Sequence, residues 1–209
     1  MSCCDPNGLN GLFKGPIVEG ELRAFKKNGL GKRQKVFLEV LRGHAKNRTV
    51  LDIGCGIGGL GLSLLASGAA HGTFVDVSRA YLRAARELAR EQEAEENTEF
   101  VEADFMRTDL SPTDIVVLDR VVCCYPDAPA LLRKAASQSE TSLVFSYPRP
   151  AWWMKATRGL LNLGMRVWRK DYRFYVHDED ALLEAAGNNG HTLQEVRSVG
   201  VWKLAIFRR

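Results

Sequence analysis

The stretch RTVLDIGCGIGGLGL, residues 48–62, sets five glycines into eight positions directly behind a short apolar run. A strand, a glycine-rich turn and a helix in that order bring bare main chain up to a nucleotide cofactor. Gly54, Gly56 and Gly59 satisfy the dinucleotide spacing, and Asp76 follows at the end of the next apolar run, where a ribose-binding acid belongs. A nicotinamide-dinucleotide reading stands on that much. Three neighbours point to a different nucleotide. Asp52, two residues before Gly54, would repel a pyrophosphate but could accept hydrogen bonds from a cationic amine. Asp104 closes a third apolar run and can accept from an adenine amino group, with Phe105 alongside to pack on the ring. The chain also ends in two runs close enough to pair as a hairpin, extending one sheet where a dehydrogenase would need a second half. The plainer roles stay open: a helix-capping carboxylate for Asp52 and a tight turn for the glycines.

Outward from this stretch, apolar runs alternate with helical patterns. GTFVDV (72–77) precedes a helix opened by Ser78; TEFVEADF (98–105) and DIVVLDRVV (114–122) follow, then a helix near residues 126–139 and SLVFSYP (142–148). Strands apolar almost throughout, each followed by a helix, indicate a parallel sheet covered on both faces, a doubly wound α/β fold. Two short helices, 16–29 and 34–46, come first. A helix at 178–187 and the runs 192–200 and 201–209 come last, giving the sheet an antiparallel edge.

VLDIGCGIG, followed in order by FVDVS, VEADF and DIVVLDRVV, resembles the class I S-adenosylmethionine-dependent methyltransferases over about residues 34–209. The resemblance implies a Rossmann-like α/β fold: a mainly parallel seven-stranded sheet with an antiparallel C-terminal hairpin and a helical cap. It divides a single domain, 1–209, into an N-terminal helical cap (1–47), a cofactor-binding core (48–148), an inserted lid helix (149–177) and a C-terminal helix and hairpin (178–209). It implies that Asp52 and the backbone of Gly54, Cys55 and Gly56 hold the methionine end of S-adenosyl-L-methionine. Asp76, with Val77 beside it, takes the ribose, and Asp104 with Phe105 the adenine. Asp119 and Arg120, just past the fourth strand, sit beside the sulfonium and the substrate.

In an open parallel sheet the reaction site lies beyond the carboxyl ends of the strands, which nominates Tyr125, Tyr147 and Arg149 as substrate-side groups, ordinary loop packing being the alternative for each. His177, at the start of the last helix, is the candidate general base; it could equally cap the helix or be solvated. Residues 151–170 carry Lys155, Arg158, Asn162, Arg166 and Arg169 on one stripe among tryptophans and leucines. The segment is a core helix, a lid over a hydrophobic substrate, or a helix at a membrane surface, with lid favoured over membrane.

The vicinal pairs Cys3-Cys4 and Cys123-Cys124 read as free thiols in a reducing compartment, and a cytoplasmic protein is expected. If the N-terminal arm reached the site, four thiolates could hold a soft metal or metalloid, but neither pair has C-x-x-C spacing, and no metal is assigned. A net charge of +4 tolerates an anionic partner without demanding one, and nucleic acid is not expected. The expected activity is methyl transfer to a small, hydrophobic or aromatic molecule. The alternatives are a methyltransferase acting on nucleic acid or protein, and a non-catalytic nucleotide-binding or thiol-rich metal-binding protein.

Overall fold

The computed structural model describes residues 15–149 and 173–209. Helix α1 (Pro16–Asn28) begins on a proline, whose fixed φ suits the first helical position, and ends at Gly29. There follow α2 (Lys32–Ala45), β1 (Thr49–Ile53), α3 (Gly59–Leu65), β2 (His71–Asp76), α4 (Arg79–Glu91), β3 (Thr98–Glu102) and β4 (Thr113–Leu118). The remainder is α5 (Ala128–Gln138), β5 (Ser139–Pro148), α6 (Glu179–Ala186), β6 (Thr192–Val199) and β7 (Trp202–Arg208). Single 3-10 turns at Phe105–Arg107 and Val122–Cys124 follow β3 and β4. Ser78, expected to open its helix, accepts from Tyr81 N–H at the start of α4, and Asp127 and Asp178 accept in the same way from Ala130 and Ala181 N–H at the starts of α5 and α6.

The seven strands run in the order β3-β2-β1-β4-β5-β7-β6. All neighbours are parallel except β7, which lies antiparallel between β5 and β6. The expected mainly parallel sheet with a reversed terminal hairpin is the observed one. Alternation along β4 shows how the sheet is covered. Ile115 and Val117 face α2 and α3 beside Phe37, Leu41, Leu60 and Leu64, while Val116 and Leu118 face α5 and α6 beside Leu131, Leu132 and Leu182. Helix α2, part of the expected N-terminal cap, is therefore a layer of the fold: Phe37, Leu41 and Ala45 have no exposed surface. Helix α1 lies on α4, with Lys26 Nζ 2.7 Å from Glu91 Oε1.

The chain winds outward from β1 to β3 and returns to place β4 on the other side of β1. A crevice opens at the carboxyl ends of the strands at such a reversal. Residues 1–14, which include Cys3 and Cys4, and 150–172, most of the expected lid, lie outside the described residues. Among the described residues no helix is long and apolar enough to cross a membrane.

Candidate active site

A cavity of about 350 Å³ occupies that crevice. Gly54, Gly56, Asp76, Val77 and Phe105 wall it on the β1–β3 side, and Asp119, Arg120, Val121, Cys123, Cys124 and Tyr125 on the β4 side. Glu21 of α1 and Trp202 of β7 complete the charged and aromatic rim.

The glycine loop is shaped for close approach. Gly54 has φ +66°, and a Cβ there would stand 2.5 Å from Val121 Cγ2. Its N–H and that of Cys55 donate to Val75 O at 2.7 and 3.1 Å, and Gly56 N–H donates to Asp76 Oδ2 at 2.9 Å. These three N–H groups thus point into the fold, and Gly54 and Gly56 offer the cavity bare main chain. Cys55 itself is not at the wall, and burial pushes its thiol well above the usual range.

Asp52 does not reach the cavity. It shares a face of β1 with Val50, the face under α3, and its Oδ2 accepts from Gly61 N–H at 3.1 Å. Gly61 makes room for this: a Cβ there would lie 2.4 Å from the Phe74 ring and 3.1 Å from Asp52 Oδ2. Burial, reinforced by the Asp119 charge, pushes the Asp52 carboxyl up to about 8. The carboxylate expected at the methionine tail is in place as the capping acid of α3.

Asp76 stands where the sequence put it, at the end of β2 and in the wall. Oδ1 accepts from Ser78 N–H at 2.8 Å, and Oδ2 from Gly56. Burial outweighs these bonds and raises its carboxyl to about 6. Strand β3 stops at Glu102, so Asp104 caps the 3-10 turn instead of closing the strand, accepting from Met106 N–H at 3.0 Å. Tyr125 reaches it as well, its hydroxyl donating to Oδ1 at 2.7 Å. Two residues expected on opposite partners, adenine and substrate, are bonded to each other. Phe105 and Tyr125 remain in the wall; the Asp104 carboxylate does not.

Asp119 is engaged on both oxygens. Arg33 forks onto it from the start of α2, Nη2 standing 2.9 Å from Oδ2, and Ser146 Oγ donates to Oδ1 at 2.8 Å. The same Ser146 hydroxyl accepts from Arg120 N–H at 2.8 Å. Arg120 adopts φ +63°, a left-handed backbone uncommon for arginine. Its guanidinium reaches Glu21 across the rim at 3.3 Å. Arg33 also lies over the Trp202 ring, 5.1 Å from its centroid. Arg33 was not anticipated. Its signal was its phase, one turn before the buried Phe37 on the same helix face.

Tyr147 and His177 take other places. Tyr147 is 1% exposed, and its hydroxyl donates to Glu179 Oε1 at 3.0 Å, beside Lys203 Nζ at 2.7 Å. The alternation of β5 turns it into the core next to Phe145, away from the cavity. His177 stacks on Tyr175, ring centroids 5.8 Å apart, and does not wall the cavity, although Phe174 does. Tyr175 N–H donates to Cys123 O at 2.8 Å, tying this segment to the turn after β4.

A doubly wound sheet with a reversed seventh strand, a glycine loop and an acid at the end of β2 define a nucleotide-dependent group-transfer fold. Residues 50–139 match a family model described as a methyltransferase domain. With the strand order and the motifs, that match supports a class I S-adenosylmethionine-dependent methyltransferase. No curated protein matches it in sequence. Among solved structures it is similar to magnesium protoporphyrin IX methyltransferase from Synechocystis PCC 6803, with 22% identity and a TM-score of 0.73 over 98% of this chain and 99% of that one. An O-methyltransferase family protein from Burkholderia thailandensis is 17% identical, TM-score 0.68, over 92% and 59% of the two chains. The mitomycin 7-O-methyltransferase MmcR is 20% identical, TM-score 0.68, over 98% and 60%. At these identities the likeness is one of fold.

Proposed function

We propose that the chain transfers the methyl group of S-adenosylmethionine to a small molecule with an apolar or aromatic body. One observation carries the reading of the cavity: the first three N–H groups of the loop after β1 are bonded to Val75 and Asp76, and Asp52 already serves as the carboxylate of the first turn of α3. A pyrophosphate needs such donors. A sulfonium nucleoside with an amino-acid tail instead needs a ribose acceptor, an apolar slot and close main chain. Asp76 supplies the first, Val77, Phe105 and Tyr125 the second, and Gly54 with Gly56 the third. The residues present fit that group.

When bound, the cofactor supplies a methyl group already activated on a positively charged sulfur. The work left to the chain is alignment and exclusion of water, an effect reaching ~7 to 11 kcal/mol in well-oriented systems. Asp119 and Arg120, at the end of β4, frame the acceptor side. With Asp119 held by Arg33 and Ser146, Tyr125 donating to Asp104, and Glu21 set against Arg120, these wall groups are placed to orient partners. In this reading the acceptor arrives as its own nucleophile. Tyr125 has a positioning part, and the proposal gives none to Tyr147 or His177.

Support for a small acceptor comes from the apolar wall and from neighbours of the same fold, a magnesium protoporphyrin IX methyltransferase and a mitomycin 7-O-methyltransferase. The thiols of Cys55, Cys123 and Cys124, none in a disulfide, support a cytoplasmic setting. The test is transfer of labelled methyl from S-adenosylmethionine to extracts fractionated by size. Label in the small-molecule fraction supports the proposal; label confined to RNA, DNA or protein overturns the substrate class.

A further inference from the structure

Cys123 and Cys124 are adjacent in sequence, a spacing that usually aims two sulfurs apart. Here the 3-10 turn Val122–Cys124 brings their Sγ atoms to 4.0 Å, and both thiols lie over the carbonyl of Arg120, at 3.3 and 3.5 Å. Both residues also wall the cavity. We propose that they form a dithiol receptor for a soft trivalent electrophile, a monosubstituted arsenical, bound inside the cavity.

The geometry fits one bridging atom. Two bonds of ~2.3 Å, the length of a metal–thiolate bond, span that separation at roughly 120°, and a small turn of either side chain about its χ1 bond draws the sulfurs in to the narrower angle of a pyramidal trivalent centre. Soft centres select sulfur ligands. Among the described residues no group of three or more His, Cys, Asp or Glu side chains converges to hold a metal ion, so the site suits a centre that asks for two sulfurs only. Trivalent arsenic carrying one carbon substituent is such a centre, and Val121, Phe105 and Tyr125 give the substituent an apolar wall. The reaction balances without an oxidant. Two As–S bonds form, two As–OH bonds break, the two thiol protons leave in two waters, and arsenic stays trivalent.

The inference does not depend on methyl transfer and is tested with no donor or acceptor present. The whole chain is treated with phenylarsine oxide, digested with trypsin and mapped by mass spectrometry. Cleavage after Arg120 and Arg133 leaves both cysteines on the peptide 121–133, while Cys3 and Cys4 fall on 1–14. The expected result is one arsenical per chain on 121–133, removed by 2,3-dimercaptopropanol but not by 2-mercaptoethanol. Cys123→Ser and Cys124→Ser should each weaken binding ~100-fold or more, because chelation at high effective concentration is lost. The Cys3→Ser/Cys4→Ser double variant should bind as the parent does. An adduct on 1–14 alone, no adduct, or unchanged binding in either single variant overturns the inference. The mapping of the unsubstituted chain decides the matter even if a variant misfolds.

Discussion

Arg33 and Asp119 stand 86 positions apart and meet as a forked ion pair, Nη2 on Oδ2 at 2.9 Å and Nε on Oδ1. Arg33 comes from a helix that otherwise only covers the sheet, while Asp119 ends the strand beside the cavity. Through Ser146 the pair also fixes the amide of Arg120. Arg33→Gln should leave Asp119 buried with half its partners and cost about 2 kcal/mol in urea unfolding. A double-mutant cycle with Asp119→Asn should show the two losses to be strongly non-additive; simple additivity would remove the pair from the account.

Asp76 yields a pH signature. In the proposed complex its carboxylate would accept from the ribose hydroxyls, and its value of about 6 leaves it half protonated near pH 6. Affinity for S-adenosylhomocysteine should therefore rise from pH 5 to pH 7 with a midpoint about 6. Asp76→Ala should weaken binding ~10- to 100-fold at pH 7, the worth of charge-assisted bonds, and flatten that rise. Calorimetric titration across this range checks both.

Asp52 bears on stability. Burial pushes its carboxyl up to about 8, far above the ordinary carboxylate range. The folded chain thus binds more protons than the unfolded one between about pH 4 and pH 8, and stability falls as pH rises through that window. Asp76 adds to the same trend below about pH 6. Asp52→Asn keeps an oxygen for Gly61 N–H and removes the charge. It should gain stability relative to the parent at pH 8 and lose that advantage at pH 5, as read by thermal melting.

Gly54→Ala tests the loop. The added Cβ meets Val121 Cγ2 at 2.5 Å, and the backbone is left-handed, so destabilisation of at least ~2 kcal/mol is expected together with loss of cofactor binding. Adding Val121→Ala should recover part of the packing loss and none of the backbone strain.

The sequence displayed the layers because periodicity and caps are local signals: the apolar runs, each followed by a helix, and the Ser78 cap stand in the structure as read. It displayed Asp76 and the glycine loop for the same reason. What it hid depends on which way a side chain leaves the sheet. Asp52 turns under α3 and Tyr147 turns into the core, and both orientations follow from a strand phase fixed only by tertiary packing. Arg33 was hidden by distance: its phase with Phe37 is local, but its partner Asp119 lies 86 positions away. The Asp104–Tyr125 bond joins two turns that only the sheet order makes neighbours.

Isothermal titration of the purified chain with S-adenosylhomocysteine, set beside NAD under the same conditions, addresses the central claim most directly. One equivalent of S-adenosylhomocysteine bound at micromolar affinity, with no heat from the dinucleotide, is the expected result. Saturable binding of NAD with none of S-adenosylhomocysteine would contradict it.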